Sequence, residues 1–250
     1  MSLTVLVTGA SAGFGSAIAR RFVRDGHRVI AAARRADRLK ALAGELGSSV
    51  LPFPLDVTDA AAVAALPAAL PEAWRAVDVL VNNAGLALGL DPAYRAKLSD
   101  WETMLATNAA GLMRVTHALL PGMVERNRGH IVNLSSTAAI YPYPGGHIYG
   151  ASKAFVTQFS LNLRADLVGT NVRVTDLEPG LVGGSEFSAV RFGDAARAAA
   201  VYAGTTPLTP KDIAEAASWV VNLPAHVNIN RLEMMPTCQA SGPLAVKRKE

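Results

Sequence analysis

Continuous apolar runs set the architecture of this chain. Val5-Leu-Val7, Val79-Leu-Val81 and Ile131-Val-Asn-Leu134 do not alternate apolar with polar residues, so both faces of each segment must be covered. Alanine-rich stretches of helical character separate them. Parallel strands joined by crossover helices meet both conditions, and the chain therefore reads as α/β. At 250 residues it fits one domain, and no internal repeat or linker divides it.

The first strand, Thr4–Thr8, runs into Thr8-Gly-Ala-Ser-Ala-Gly-Phe-Gly15, and a helical stretch follows over 16–24. Strand, glycine loop and helix in that order make a phosphate site: the helix N-terminus offers unpaired amides, and glycines let the backbone approach the ligand. Gly9 allows the tight turn, Gly13 the approach to a pyrophosphate, and Gly15 close packing of helix on strand. A second strand over 28–33 ends at Arg34-Arg35. An acid in that place would accept from a ribose 2′-hydroxyl, whereas two arginines suit a 2′-phosphate. The expected cofactor is NADP(H), despite the nearby Asp37.

Tyr149 and Lys153, in Tyr149-Gly-Ala-Ser-Lys153, are four residues apart on a predicted helix, and Ser136 precedes the tyrosine by thirteen. One turn of helix puts phenol and ammonium on one face, where the cation favours the phenolate. A tyrosine so placed can exchange a proton with an alcohol or carbonyl.

Other function classes fit less well. Lys and Arg total 24 against 20 Asp and Glu, but the surplus is scattered and no aromatic residues interleave with a basic stripe, so nucleic acid is not an expected partner. No apolar run of about 18 residues is present to span a membrane. The five histidines lack metal-ligand spacing. The lone Cys238 and the absence of a signal-peptide pattern after Met1 lead to the expectation of a reducing, cytoplasmic setting.

Taken in order with Asn82-Asn-Ala-Gly85, these motifs resemble the short-chain dehydrogenase/reductase family over nearly the whole length. The resemblance implies a Rossmann fold, a doubly wound parallel sheet of about seven strands with helices on both faces. It implies a catalytic set of Asn108, Ser136, Tyr149 and Lys153, spacing favouring Ser136 over its neighbour Ser135. Tyr149 would be the general acid in reduction and base in oxidation, its pKa lowered by Lys153 and by the oxidised cofactor's charge. Ser136 would bond the substrate oxygen, Asn108 would hold a water, and Lys153 would also bond the nicotinamide ribose. The implied cofactor cradle comprises Gly9, Ala10, Ser11, Ala12, Gly13, Phe14 and Gly15, with Arg34 and Arg35, Asp56 and Val57, and Asn83, Ala84 and Gly85. Pro179, Gly180, Leu181 and Val182 would meet the nicotinamide, the backbone near Leu181 and Val182 binding its carboxamide, and Ser185 stands where many relatives place a phosphate-binding threonine.

A narrower resemblance, carried by Asn82–Gly89, Pro179–Gly184, Leu223–Asn230 and Leu232–Pro236, is to bacterial NADP-dependent 3-hydroxy acid dehydrogenases. That group oxidises serine and L-allo-threonine and reduces malonic semialdehyde. Its substrate carboxylate needs a partner, and the candidates are Arg191 or the backbone amides of Gly145 and Gly146. His147 has no carboxylate neighbour to orient it and reads as pocket wall or surface. A general ketone or 3-ketoacyl reductase is the alternative within the family, and an NADP(H)-binding redox sensor the alternative outside catalysis. The resemblance further implies a homotetramer, with helices over 99–126 and 149–168 at an interface. The stripe Phe155, Phe159 and Leu163 fits that interface or the core. Residues 183–210 read as a substrate lid, and 242–250 as a flexible tail that also could cover the pocket.

Overall fold

In the computed structural model, which describes residues 2–242, seven parallel strands form one sheet. They are β1 (Thr4–Thr8), β2 (Arg28–Ala33), β3 (Val50–Pro54), β4 (Val79–Asn82), β5 (Gly129–Leu134), β6 (Val172–Pro179) and β7 (Arg231–Met234). Their order is β3-β2-β1-β4-β5-β6-β7, so the direction of winding reverses between β1 and β4. A crevice opens at such a switch point beyond the carboxyl ends of the strands, and ligands bind there.

The apolar runs fill both faces, as the sequence requires. Val5, Val7, Val29, Ala31, Val79, Val81 and Val132 enter one core, with Ile18, Ala19 and Phe22 of α1 (Gly13–Arg24), Leu39 and Leu42 of α2 (Ala36–Leu46), and Ile213, Ala217 and Val220 of α9 (Pro210–Asn222). Leu6, Ile30, Leu80 and Ile131 point the other way. They meet Val63 and Leu66 of α3 (Ala60–Ala69), Val115, Leu119 and Met123 of α5 (Leu112–Glu125), and Leu163 of α6 (His147–Asp166). The alternation of neighbours between two cores follows from the strand period of two.

The helix read over 99–126 is α4 (Leu98–Leu105) and α5 joined by a π-helical segment, Ala106–Gly111. The break falls on Asn108. Two other boundaries differ: α1 begins at Gly13 rather than 16, and α6 spans His147–Asp166 rather than 149–168. Of the stripe on α6, Leu163 is core, Phe159 packs partly against it, and Phe155 is exposed, stacked on Phe159 at 5.8 Å. Of the predicted tail, 243–250 lies outside the described residues.

Polar links inside the second core fix the helix that carries Tyr149 and Lys153. Asn82 Nδ2 donates to Thr116 Oγ1 and to Asn133 Oδ1, each at 2.9 Å, and Asn133 Nδ2 donates to Ser160 Oγ at 2.8 Å. Buried amides of this kind are costly unless paired, so they pin α6 to β4 and β5 in one register. Two short helices, α7 (Phe187–Phe192) and α8 (Ala195–Ala200), then fold over the end of the sheet. Among the described helices none is long and apolar enough to cross a membrane.

Candidate active site

A cleft of about 720 Å³ occupies the switch point. Its floor is the glycine loop. Gly9 and Gly13 sit at φ +68° and +52°, in the left-handed region that glycine adopts without strain. Thr8 Oγ1 accepts from the amides of Asn83 and Ala84 at 3.0 Å, which ties the end of β1 to the end of β4 on either side of the crevice. A Cβ on Gly9 would lie 2.8 Å from Asn83 Nδ2, so the loop and the Asn83-Ala84-Gly85 segment pack as only glycine permits. No side chain caps the first turn of α1. Its amides are therefore available to an anion.

The wall beyond β2 carries Arg34 and Arg35, with Asp56 and Val57 opposite. Arg35 Nε donates to Ser11 Oγ at 3.1 Å. Asp56 accepts from the Thr58 amide and hydroxyl, and its carboxyl titrates below the ordinary value, these bonds outweighing partial burial with help from the Arg34 charge. Gly9, Ser11, Ala12, Gly13 and Phe14 line the cleft, while Ala10 and Gly15 stand behind it, Ala10 in the core.

At the other end Ser136, Tyr149 and Lys153 come together beneath Pro179–Val182. Ser136 Oγ donates to the Pro179 carbonyl at 3.3 Å and accepts from the Ala138 amide. Lys153 Nζ donates to the Leu134 carbonyl at 2.7 Å and lies 5.8 Å from the centre of the Tyr149 ring. Asn108 is buried just behind: its Oδ1 accepts from the Leu86 amide, and its Nδ2 donates to the Leu86 carbonyl and to Ser152 Oγ. A Cβ on Gly85 would be 3.3 Å from Asn108 Oδ1 and 3.4 Å from Lys153 Nζ. The small residue keeps open the gap that these two polar groups share.

The electrostatics correct one expectation. The Tyr149 phenol is not acidified: burial pushes it up to about 12, against the smaller opposing effects of Ser136 and of the Arg191 charge. Burial brings the Lys153 ammonium down to about 8, with Asp176 opposing. At Tyr149 withdrawal from water outweighs those effects, because burial penalises the charged phenolate and leaves the neutral phenol untouched. The protein alone keeps Tyr149 protonated at neutral pH.

Arg191, a candidate partner for the substrate carboxylate, lines the cleft. It reaches back from α7, donating to the Gly89 carbonyl at 3.1 Å and to the Tyr143 hydroxyl at 2.9 Å, with its guanidinium 5.5 Å from the centre of the Tyr149 ring. Phe187, one turn earlier, packs against the same ring in a tilted arrangement, 5.7 Å between ring centres. Gly145 and Gly146, the other candidates, do not line the cleft; Gly145 abuts Leu90, and the Gly146 amide donates to the Tyr143 carbonyl. His147 packs against Trp101 in a tilted arrangement, 4.9 Å between ring centres, and hydrogen-bonds the Asp91 carbonyl, outside the cleft.

Sequence reasoning did not find Phe187 or Tyr143, although the four-residue spacing of Phe187 and Arg191 was a readable signal. It also treated Leu181 and Val182 alike. The Leu181 amide donates to Gln239 Oε1 at 2.7 Å and its carbonyl accepts from Leu208, which leaves Val182 as the backbone of that stretch not so engaged. Ser185 Cβ would lie 3.3 Å from a Cβ on Gly13, so the residue stands beside the phosphate loop, and its Oγ accepts from the Phe187 amide at 3.4 Å. Among the described residues, no cluster of His, Cys, Asp or Glu could hold a metal ion.

The profile of the family described as short chain dehydrogenase matches residues 3–193. The chain belongs to the short-chain dehydrogenase family. Within it, the chain is 63% identical over 247 residues to NADP-dependent 3-hydroxy acid dehydrogenase YdfG of Salmonella typhimurium, covering 98% of this chain and 100% of that protein. It is 51% identical over 250 residues to the serine 3-dehydrogenase of Rhizobium radiobacter, over the full length of both. The closed form of a serine dehydrogenase complexed with NADP+ superposes with a TM-score of 0.97 at 59% identity, over 99% of this chain and 100% of that one.

Proposed function

We propose that this short-chain dehydrogenase is an NADP-dependent oxidoreductase that interconverts the 3-hydroxyl and 3-carbonyl of small 3-hydroxy acids, serine and malonic semialdehyde being the type substrates. The observation that carries the substrate class is Arg191, a cation fixed by Gly89 and Tyr143 over the ring of Tyr149. A carboxylate bonded to that guanidinium would bring the carbon two positions along to the phenol. An uncharged ketone makes no use of it. The named relatives support the same class.

The cradle fits a dinucleotide that carries a 2′-phosphate: uncapped amides at Gly13 and glycines packed as close as backbone allows suit the pyrophosphate, and the arginines beyond β2 suit the 2′-phosphate. NADP(H), when bound, takes or supplies the hydride and, when oxidised, brings a positive ring. The residues of the chain handle the proton. Held protonated by burial, Tyr149 is ready to give its proton to a carbonyl oxygen in reduction. In oxidation Tyr149 must first give up its own proton, which Lys153, titrating near 8, is suited to relay at working pH, and the phenolate oxygen then accepts the substrate's hydroxyl proton. Ser136, already turned toward the cleft end by its bond to Pro179, holds the substrate oxygen as charge grows on it. Asn108 spends its side-chain amide on Leu86 and Ser152, so it positions the floor behind Lys153.

Residues 183–210 serve as the lid. Left-handed glycines at 184, 193 and 204 bracket α7 and α8, and Phe187 and Arg191 close on Tyr149. The assembly is a homotetramer in this reading: Leu98, Leu105, Met113 and Phe155 leave large apolar surface exposed on α4 to α6. A monomer in sedimentation would refute that. Cytoplasmic residence fits the single, unpaired Cys238.

Following NADPH with serine, L-allo-threonine, 3-hydroxypropionate, malonic semialdehyde and simple ketones tests the function. Turnover of the acids in preference to the ketones is expected. Ketones turned over better than every acid would move the chain to the general reductases, and no turnover of any would favour a sensor.

A further inference from the structure

Glu186 lies at the start of the lid, directly before α7, yet its side chain does not cap that helix. It reaches across the mouth of the cleft instead. Its Oε2 accepts from Arg35 Nη1 at 2.9 Å and its Oε1 from Arg38 Nη1 at 2.6 Å, residues about 150 positions earlier in the chain. Arg35 and Arg38 are three residues apart at the beginning of α2, hence on one face. The two guanidinium groups hold the Glu186 carboxyl below the usual carboxylate range, so it is ionised at neutral pH. Arg35 thus makes two contacts of different origin: Nε to Ser11 of the phosphate loop, Nη1 to the lid.

We propose that Glu186 couples the lid to cofactor choice: its carboxylate and the 2′-phosphate of the dinucleotide compete for Arg35, so phosphate binding loosens the tie between lid and α2. This rests on the NADP reading given above. Chemistry favours the phosphate, which offers three acceptor oxygens and nearly two charges where the carboxylate offers two oxygens and one charge. The carboxylate also sets a threshold. A dinucleotide without the 2′-phosphate has nothing with which to displace it, and leaves the lid tied. Both partners are more than two-fifths exposed, so the pairs are weak and reversible, as a latch must be and a structural strut is not.

The test uses 2′,5′-ADP as the probe, 5′-ADP as its control, and Glu186→Gln, which removes the charge at an exposed position and leaves the side-chain shape. Calorimetry should show 2′,5′-ADP binding about 2- to 5-fold more tightly to the variant than to the parent, with 5′-ADP unchanged. Tryptic cleavage after Arg197, exposed on α8 of the lid, reads the latch independently of activity. In the parent, 2′,5′-ADP should speed that cleavage and 5′-ADP should not; in the variant it should be fast from the start. Equal or weaker 2′,5′-ADP binding by the variant, or slower cleavage of the parent with 2′,5′-ADP, overturns the competition. If the parent binds 2′,5′-ADP no better than 5′-ADP, the NADP reading itself fails, and the latch with it.

Discussion

Replacing Gly15 by alanine should damage the protein, although alanine is the better helix former. The position is inside α1, where the exchange alone would gain about 1 kcal/mol of helix propensity. A Cβ there, however, overlaps the carbonyl oxygen of Gly9 and comes 2.6 Å from Asn83 Nδ2. That amide donates to the Thr8 carbonyl at 2.9 Å and to the Gly9 carbonyl at 3.4 Å. The obstacle is backbone and a short, bonded side chain, so neither can swing aside. Overpacking costs about 1–3 kcal/mol and two displaced hydrogen bonds about 1 kcal/mol each, giving a net loss of about 2–4 kcal/mol. For a chain of this size that lowers Tm by on the order of 10 °C. Gly44→Ala is the matched control: it also lies within a helix, α2, and a Cβ there meets nothing within 4 Å. It should stabilise by about 0.5–1 kcal/mol. Denaturant midpoints of both variants, with and without NADP+, decide the matter, and Gly15→Ala should also bind NADP+ at least ~10-fold more weakly as the Gly9 turn shifts, a loss of about 1.4 kcal/mol. A Gly15→Ala protein as stable as Gly44→Ala would refute the packing argument.

Tyr149→Phe should lower kcat by ~10²–10⁴ with NADPH affinity nearly intact, measured by turnover and by cofactor titration; an active phenylalanine variant ends the proton-transfer assignment. Arg191→Ala should raise KM for serine ~10- to 100-fold, the loss of a charge-assisted bond, and spare an uncharged 3-hydroxy compound; an unchanged serine KM removes Arg191 as carboxylate partner. Arg34→Ala should weaken NADPH more than NADH, and comparable kcat/KM for both cofactors in the parent would contradict the 2′-phosphate reading. Lys153 also leaves a signature in stability. Its folded pKa is about 8 against 10.5 ordinarily, so the unfolded chain keeps a proton that the native state gives up, and the penalty, full below pH 8, fades as pH rises. Tyr149 opposes this only above its ordinary 10. Urea midpoints should therefore rise from pH 8 to 10 by an amount worth up to about 3 kcal/mol in the parent, and not in Lys153→Met; parallel profiles would refute it.

Local spacing carried most of this fold and much of the site. Continuous valine and leucine runs announced a parallel sheet because only such a sheet covers both faces of Val5–Val7 and Val79–Val81. The loop through Gly15 and the pair Tyr149–Lys153 were readable because their chemistry depends on neighbours within one turn. What escaped depends on distance along the chain. Glu186 finds Arg35 across some 150 residues, and Arg191 is fixed by Gly89 and Tyr143, neither of which advertises itself. The state of Tyr149 was misjudged because pKa is decided by how much water the fold removes, a quantity that spacing does not contain. Asn108 was legible as a residue, but the π-helical turn around it was not.

That turn has a consequence for how the chain can change. A π segment is in effect one residue inserted into an α-helix, and it persists where function repays it. Deleting a single residue between 106 and 111 would let α4 and α5 fuse into an uninterrupted helix. With α5 anchored in the core by Val115, Leu119 and Met123, the preceding segment would then turn by about 100° relative to the sheet. Met104, which packs with Ala87 and Tyr149, would leave its place, and Asn108 would no longer face Leu86. The fold could survive such a loss better than the chemistry could, so the length of this helix is a stricter record of activity than the identity of most of its residues.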